Sequence, residues 1–179
     1  MLRSSIFLPS DCTAQALAEF EKLVVAGGAV NPEGLALRIR NASRLLFLRG
    51  LDDHLVGAAA LKHPRPEYRS KVFADARATV SADQFPVELG WVVVAQSYQG
   101  RRLSTRMVGE LLAFAKNENI FATTRADERV LSFAFDCGFK STANHSRTAA
   151  ATILFSIFAM LMIICAEVTR SIALPCVVV

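Results

Sequence analysis

The stretch ELGWVVVAQSYQGRRLSTRMVGELLAF, Glu88–Phe114, decides how this chain folds. Its first part is rich in valine and aromatic residues, which is typical of a central strand. Its last part places apolar residues on one stripe, the pattern of a helix packed on a sheet. Between them, the polar turn Gln96–Ser104 predicts either a cradle for an anionic ligand or a plain connector with surface arginines.

The segments on either side predict the rest of the fold. Arg44–Lys62 reads as two apolar strands joined by the polar turn Gly50–His54, which predicts an antiparallel hairpin. Upstream, the pattern predicts an amphipathic helix capped by Ser10 or Asp11 and a short second helix capped by Asn31. Downstream, strands and helices alternate, which favours parallel crossover units. The predicted class is therefore α/β (α+β), a single mixed central sheet flanked by helices.

The bulk composition limits the function classes. A chain of 179 residues with 53% hydrophobic content can bury one core, and its net charge of +4 is spread without a basic block. We expect a small anionic ligand and no nucleic acid. The four cysteines show no metal-binding spacing, so we expect no metal, no disulfide and a cytoplasmic location.

The composition changes near Arg147. We predict a main domain over residues 1–147 and an apolar C-terminal segment over 148–179. Within that segment, Ala149–Ala166 carries no charge and is long enough to cross most of a bilayer core. One reading is a membrane anchor with the domain facing the cytoplasm, because Lys140 and Arg147 precede the run. The alternatives are a final strand of the sheet or a frameshifted tail.

The turn itself has the elements of an anion site. A strand that enters a helix through a tight turn directs free backbone N–H groups and the positive helix end towards one point. Gly100 lets the backbone approach a ligand closely, and Arg101, Arg102 and Arg106 add positive charge.

The region from about Leu17 to Phe139 resembles the GNAT N-acetyltransferase superfamily. QGRRLS is similar to the loop written (Q/R)xxGx(G/A), which holds the pyrophosphate of acetyl-coenzyme A, and ELGWVVV is similar to the strand that pairs with the pantetheine arm. The resemblance implies acetyl-coenzyme A as cosubstrate. The cofactor-binding residues that it implies are Val92, Val94, Gln99, Gly100, Arg101, Arg102, Leu103, Ser104 and Asp127.

Four positions depart from the family pattern. Gln96 replaces the usual proline of the strand exit. Arg102 replaces the inner glycine of the loop, and an arginine costs about 1 kcal/mol or more if that position needs a positive φ. Asp127 replaces an asparagine at the start of the fourth helix. Ala134 replaces the tyrosine that commonly protonates the leaving thiolate, so no general acid is assigned.

The resemblance implies direct attack of an amine on the acetyl thioester, with backbone N–H groups of the strand stabilising the developing negative charge. Glu88, at the start of that strand, is the candidate catalytic base. Its alternative is a surface glutamate beside Pro86 that pairs with an arginine. We therefore expect an N-acetyltransferase acting on an amine of a small molecule or protein. The alternative is a degenerate GNAT domain that binds a coenzyme A ligand or a partner without turnover.

Overall fold

The computed structural model describes residues 1–28, 30–115, 118–124, 151–155 and 177–178. In chain order the helices are α1 (Ala14–Ala26), α2 (Leu35–Arg40), α3 (Pro66–Asp75) and α4 (Leu103–Phe114). The strands are β1 (Arg3–Phe7), β2 (Arg44–Arg49), β3 (Leu55–Lys62), β4 (Val87–Val94), β5 (Ile120–Thr124), β6 (Ala151–Phe155) and β7 (Val177–Val178). These elements belong to two compact units. Unit 1 is Met1–His63 with Leu89–Phe114, and unit 2 is Pro64–Glu88 with the described residues from Ala115 onward.

The sheet of unit 1 is built on the predicted hairpin. β2 and β3 pair antiparallel, with Leu48 opposite Gly57 and an irregularity between Leu48 and Arg49, and β1 pairs antiparallel with β2. β4 follows β3 in the strand order, and just beyond its end Ala95 N–H donates to the carbonyl of Val56 at 2.8 Å. The predicted hairpin and the predicted central strand are both confirmed.

Aromatic rings form the centre of the main core of unit 1. The ring of Phe20 on α1 meets Phe47 of β2 at 5.2 Å and Trp91 of β4 at 6.3 Å, both edge to face. Such pairs add about 0.5–1.5 kcal/mol to the gain from burial alone. The buried residues of this cluster are Phe20, Val24, Leu35, Ile39, Ala42, Leu45, Phe47, Ala58, Ala60 and Trp91.

Helix α4 packs closely on β3. A Cβ at Gly57 would stand 2.8 Å from the sulfur of Met107, so only glycine allows this approach of helix and strand. The apolar stripe that the sequence predicts for this helix is buried along its length. Its members are Leu103, Met107, Val108, Leu111, Leu112 and Ala115.

Two helix starts differ from the sequence prediction. Helix α1 is capped by Thr13, whose Oγ1 accepts from Ala16 N–H at 3.1 Å, and not by Ser10 or Asp11. The side chain of Asn31 accepts from Glu33 N–H at 3.0 Å in a local turn, which competes with helix formation, and α2 begins only after Gly34. Strand β1 is not predicted by the sequence reading at all.

Unit 2 has a small aromatic core of its own. Phe73 of α3 packs against Phe85 and Phe121, with ring centroids 5.6 Å and 5.3 Å apart. The predicted strand Ile120–Thr124 is confirmed as β5, and it pairs antiparallel with β6. β6 in turn pairs antiparallel with the two residues of β7.

The start of the uncharged run Ala149–Ala166 is thus a strand, β6. The rest of that run, from residue 156, lies outside the described residues. Over the residues that the structure does describe, none of the helices has the length and apolar character needed to cross a bilayer. The division at residues 147 and 148 stays a prediction.

Candidate functional site

The turn after β4 has two left-handed residues. Gln96–Tyr98 form a single 3-10 turn, Gly100 has φ 76° and Arg102 has φ 55°, and α4 begins at the next residue. Among the residues that the structure describes, none has an atom within 4 Å of where a Cβ at Gly100 would stand, so on that side they leave this part of the backbone open. The position of the family's inner glycine therefore does need a positive φ, and Arg102 adopts it at a cost of about 1 kcal/mol.

The N–H groups of this turn suit an anion. Within the described part of the chain, no acceptor pairs with the backbone N–H of Gly100, Arg101 or Arg102. The first N–H groups of α4 add to them, because the first turn of a helix leaves its donors without intrahelical partners. Several donors and the positive helix end are thus concentrated within a few residues.

Contacts within unit 1 hold the turn in place. The side chain of Gln99 donates to the carbonyl of Val94 at 3.1 Å, which closes the turn back onto the end of β4. The hydroxyl of Tyr98 lies 3.1 Å from Nε2 of His54, in the β2–β3 turn. Asp52 lies 3.4 Å from the other ring nitrogen of His54. The two turns are therefore linked through one imidazole.

The three arginines differ in how they are held. Arg101 lies over the ring of Tyr98 at 5.2 Å and donates to the carbonyl of Ser97 at 3.4 Å. Arg106 donates to the carboxylate of Glu110 at 2.8 Å and to the hydroxyl of Ser4 at 3.0 Å. Arg102 is exposed, and its guanidinium has no hydrogen-bond or ion-pair partner among the described residues. Arg102 is thus the cation most available to an incoming phosphate.

Strand β4 has a bend next to this turn. Trp91 is buried and yet has φ 53°, a left-handed value that interrupts the extended conformation of the strand. A bulky residue there stores about 1–3 kcal/mol of strain, which the packing of its ring must offset. Lys62 places its ammonium 5.1 Å from the centre of the same ring. Val92 and Val94, the residues expected to face the pantetheine arm, follow the bend and are half-buried.

Glu88 is buried in unit 2 with 3% of its surface exposed, so the alternative of a surface glutamate is wrong. Its Oε1 accepts from the hydroxyl of Thr123 on β5 at 3.2 Å and from that of Tyr68 on α3 at 3.4 Å. Burial raises the pKa of the Tyr68 hydroxyl, and the negative charge of Glu88 raises it further. Sequence reasoning paired neither hydroxyl with Glu88, because both residues are distant from it in the chain.

Two other features bear on the site. Asp127 and Ala134 lie outside the described residues. Among the residues that are described, no group of three or more His, Cys, Asp or Glu side chains could hold a metal ion.

A cavity of about 450 Å³ in unit 1 is lined by residues of α1 and of the β2–β3 turn, among them Glu19, Arg49 and His54. Its charges are paired with each other or with neighbours, as in the contact of Arg49 with Glu19 at 2.8 Å. The cavity offers a ligand little uncompensated charge, and we place the candidate site at the turn.

The family follows from comparison with known proteins. The model of the acetyltransferase (GNAT) family matches residues 16–139, which is most of the chain. The chain therefore belongs to the GNAT acetyltransferase family, as the sequence motifs indicate. A search of curated proteins gives no match.

Solved structures confirm the fold. An acyl-CoA N-acyltransferase from Pseudomonas aeruginosa is 13% identical, with a TM-score of 0.65 over 87% of this chain and 100% of that one. ElaA from Escherichia coli is 14% identical, with a TM-score of 0.63 over the same shares. The catalytic domain of the Tetrahymena GCN5 histone acetyltransferase, in complex with coenzyme A, is 14% identical, with a TM-score of 0.56 over 88% and 93%. The predicted α/β class, a mixed sheet flanked by helices, is correct.

Proposed function

We propose that the protein is an N-acetyltransferase that transfers the acetyl group of acetyl-coenzyme A to an amine of a small molecule or a protein. Membership of the GNAT family supports acyl transfer in general. The cosubstrate and the amine are our proposal. The observation that supports them best is the turn after β4, where two left-handed residues, Gly100 and Arg102, come directly before the first turn of α4.

The described residues fit a coenzyme A pyrophosphate. The open space over Gly100 gives a phosphate room to contact the main chain. The N–H groups from Gly100 to Arg102 have no acceptor among described residues, and a phosphate oxygen would supply one. The exposed side chain of Arg102 adds a charged donor. The strained arginine is therefore compatible with the site, because the backbone keeps the conformation that glycine would have.

Bound acetyl-coenzyme A would supply an activated acetyl group as a thioester. In the transfer, the amine nitrogen bonds to the acetyl carbon and gives up a proton, and the carbon–sulfur bond breaks with its electron pair staying on sulfur, so that coenzyme A leaves as a thiolate that takes up a proton from solvent. Glu88 is the group to which we assign that proton, directly or through water. Backbone N–H groups of β4 would stabilise the negative charge that develops on the acetyl oxygen. Orientation of the two substrates supplies much of the remaining rate enhancement.

The first test is thermal unfolding of the whole chain with acetyl-coenzyme A. At 100 times its Kd, a ligand that binds only the folded protein adds about 2.7 kcal/mol to the free energy of unfolding. Pantetheine, which lacks the pyrophosphate, is the matched control and should stabilise far less at the same concentration. Absence of stabilisation in both the native protein and Arg102→Gly would show that the turn is a connector.

The second candidate function is a domain that binds a coenzyme A ligand without turnover. The observation that favours it is Arg102, which occupies a left-handed position at an energetic cost. The two functions are separated by release of free coenzyme A thiol in the presence of a panel of amines. Stabilisation by acetyl-coenzyme A with no thiol release from any amine would favour the binding domain.

A further inference from the structure

One oxygen of Glu88 receives two hydroxyl groups from two different elements. Tyr68 reaches Oε1 from α3, and Thr123 reaches the same oxygen from β5. A buried carboxylate loses its water shell, and hydrogen-bond donors must replace part of it. Two hydroxyl groups that donate to the same oxygen from different elements also restrict the direction in which the carboxylate points.

The contacts are long for hydroxyl–carboxylate bonds, which are commonly about 2.7 Å. Hydrogen bonds at catalytic groups are often long in ligand-free proteins and shorten when substrates bind. Each hydroxyl is therefore expected to have a moderate effect on Glu88. Their convergence on one oxygen nevertheless defines the orientation of the carboxylate.

Tyr68 is suited to remain a donor. Burial and the charge of Glu88 both raise the pKa of its hydroxyl, so the proton stays on Tyr68 at neutral and moderately alkaline pH. Part of the Tyr68 surface, 43%, remains exposed. The hydrogen bond between Tyr68 and Glu88 thus connects a buried carboxylate to a side chain that is partly exposed to solvent.

We propose that Tyr68 and Thr123 are positioning residues that hold the Glu88 carboxylate in one orientation, ready to accept the proton of the amine. The proposal rests on the function proposed above, since it assigns work to Glu88 as a base. It adds two residues outside the turn and β4, and it predicts that each hydroxyl acts through Glu88.

The test is ¹³C NMR of the Glu88 carboxyl carbon in the full chain, labelled with ¹³C-glutamate, at one fixed pH. The resonance is assigned by its loss in Glu88→Gln. Removing a donor should move this resonance in Tyr68→Phe and in Thr123→Val, because each hydroxyl donates to the carboxylate directly. If turnover is measurable, kcat should fall by about tenfold in both variants, while the KM for acetyl-coenzyme A stays unchanged. This split separates a positioning role from a packing role, which would leave kcat in place.

Two controls accompany the NMR experiment. Tyr98→Phe removes the hydroxyl of the other tyrosine in the chain, which bonds His54, and should leave the Glu88 resonance in place. Thr123→Ser keeps a hydroxyl and should retain the native resonance and the native kcat if Thr123→Val folds poorly.

The outcomes are distinguishable. An unchanged Glu88 resonance in folded Tyr68→Phe and Thr123→Val overturns the positioning role and leaves Glu88 free to act as a base. Amine acetylation that is as fast in Glu88→Gln as in the native protein overturns the role of Glu88 itself, and with it the role of both hydroxyls. A moved resonance together with slow acetylation in Glu88→Gln supports the full proposal.

Discussion

The turn Gln96–Ser104 in unit 1 and the carboxylate Glu88 in unit 2 are built in opposite ways. The turn is exposed over Gln99–Arg102, and its donors are main-chain N–H groups that every residue except proline possesses. Glu88 is buried, and its carboxylate accepts hydrogen bonds from two particular hydroxyls, one on α3 and one on β5.

The difference suggests how each region tolerates change. A site made of backbone donors depends on φ and ψ more than on side-chain identity, so an arginine can stand where a glycine is usual if it accepts the strain. A site made of side chains depends on the identity of each one. We therefore expect substitutions to affect the turn through stability and binding, and to affect Glu88 through chemistry.

The largest effect is expected for Glu88→Gln. The change keeps the shape of the side chain but removes its ability to accept a proton, so kcat/KM should fall by about 10²–10⁴-fold. The Kd of acetyl-coenzyme A, measured by calorimetry, should stay within about twofold because the turn is unaltered. If the Kd rose as much as kcat/KM fell, the contrast between a chemical and a binding region would be wrong.

A smaller effect is expected within the turn, where glycine at Arg101 and glycine at Arg102 should change the free energy of unfolding in opposite directions. Arg102→Gly relieves a left-handed arginine and should raise the free energy of unfolding by about 0.5–1 kcal/mol. Arg101 does not have a left-handed φ, so Arg101→Gly relieves no strain. Glycine there only increases the conformational freedom of the unfolded chain, and the free energy of unfolding should fall by about 0.5–1 kcal/mol. Urea denaturation of both variants checks the contrast. Equal destabilisation would mean that the φ of Arg102 is not strained.

The smallest effect concerns alkaline pH. Because the folded-state pKa of Tyr68 is raised above its ordinary value of 10.0, neutral Tyr68 contributes stability that is fully present below pH 10. That contribution is lost as the pH rises through the folded-state value. Tyr68→Phe lacks this ionisation, so its free energy of unfolding should fall less steeply above pH 10 than that of the native protein. Parallel curves from urea titrations would contradict the shift.

Much of the fold follows from local patterns. The hairpin Arg44–Lys62, β4, β5 and the buried stripe of α4 were all readable because apolar spacing records which face is covered. Strand β1 was missed because RSSIF has apolar residues only at its last two positions, so it shows no alternating pattern. Its pairing with β2 joins segments about 40 residues apart, which a local pattern does not record. Asn31 was misplaced as a helix cap because its side chain also suits a local turn.

The candidate site divides in the same way. The turn could be located from QGRRLS, and the need for a positive φ at Arg102 could be stated as a condition that the structure then met. The partners of Glu88 could not be found, because Tyr68 and Thr123 lie 20 and 35 residues away in the chain. Only pairing of distant segments brings such hydroxyls to one carboxylate.

The left-handed Trp91 also makes β4 observable by fluorescence. It is the only tryptophan in the chain, and its indole is 9% exposed, so excitation at its absorption edge reports on a single dry site in unit 1. The aromatic core of unit 2 consists of Phe73, Phe85 and Phe121, which are silent at that wavelength. Emission and circular dichroism followed together during denaturation would therefore reveal whether the two units melt as one cooperative body or in sequence.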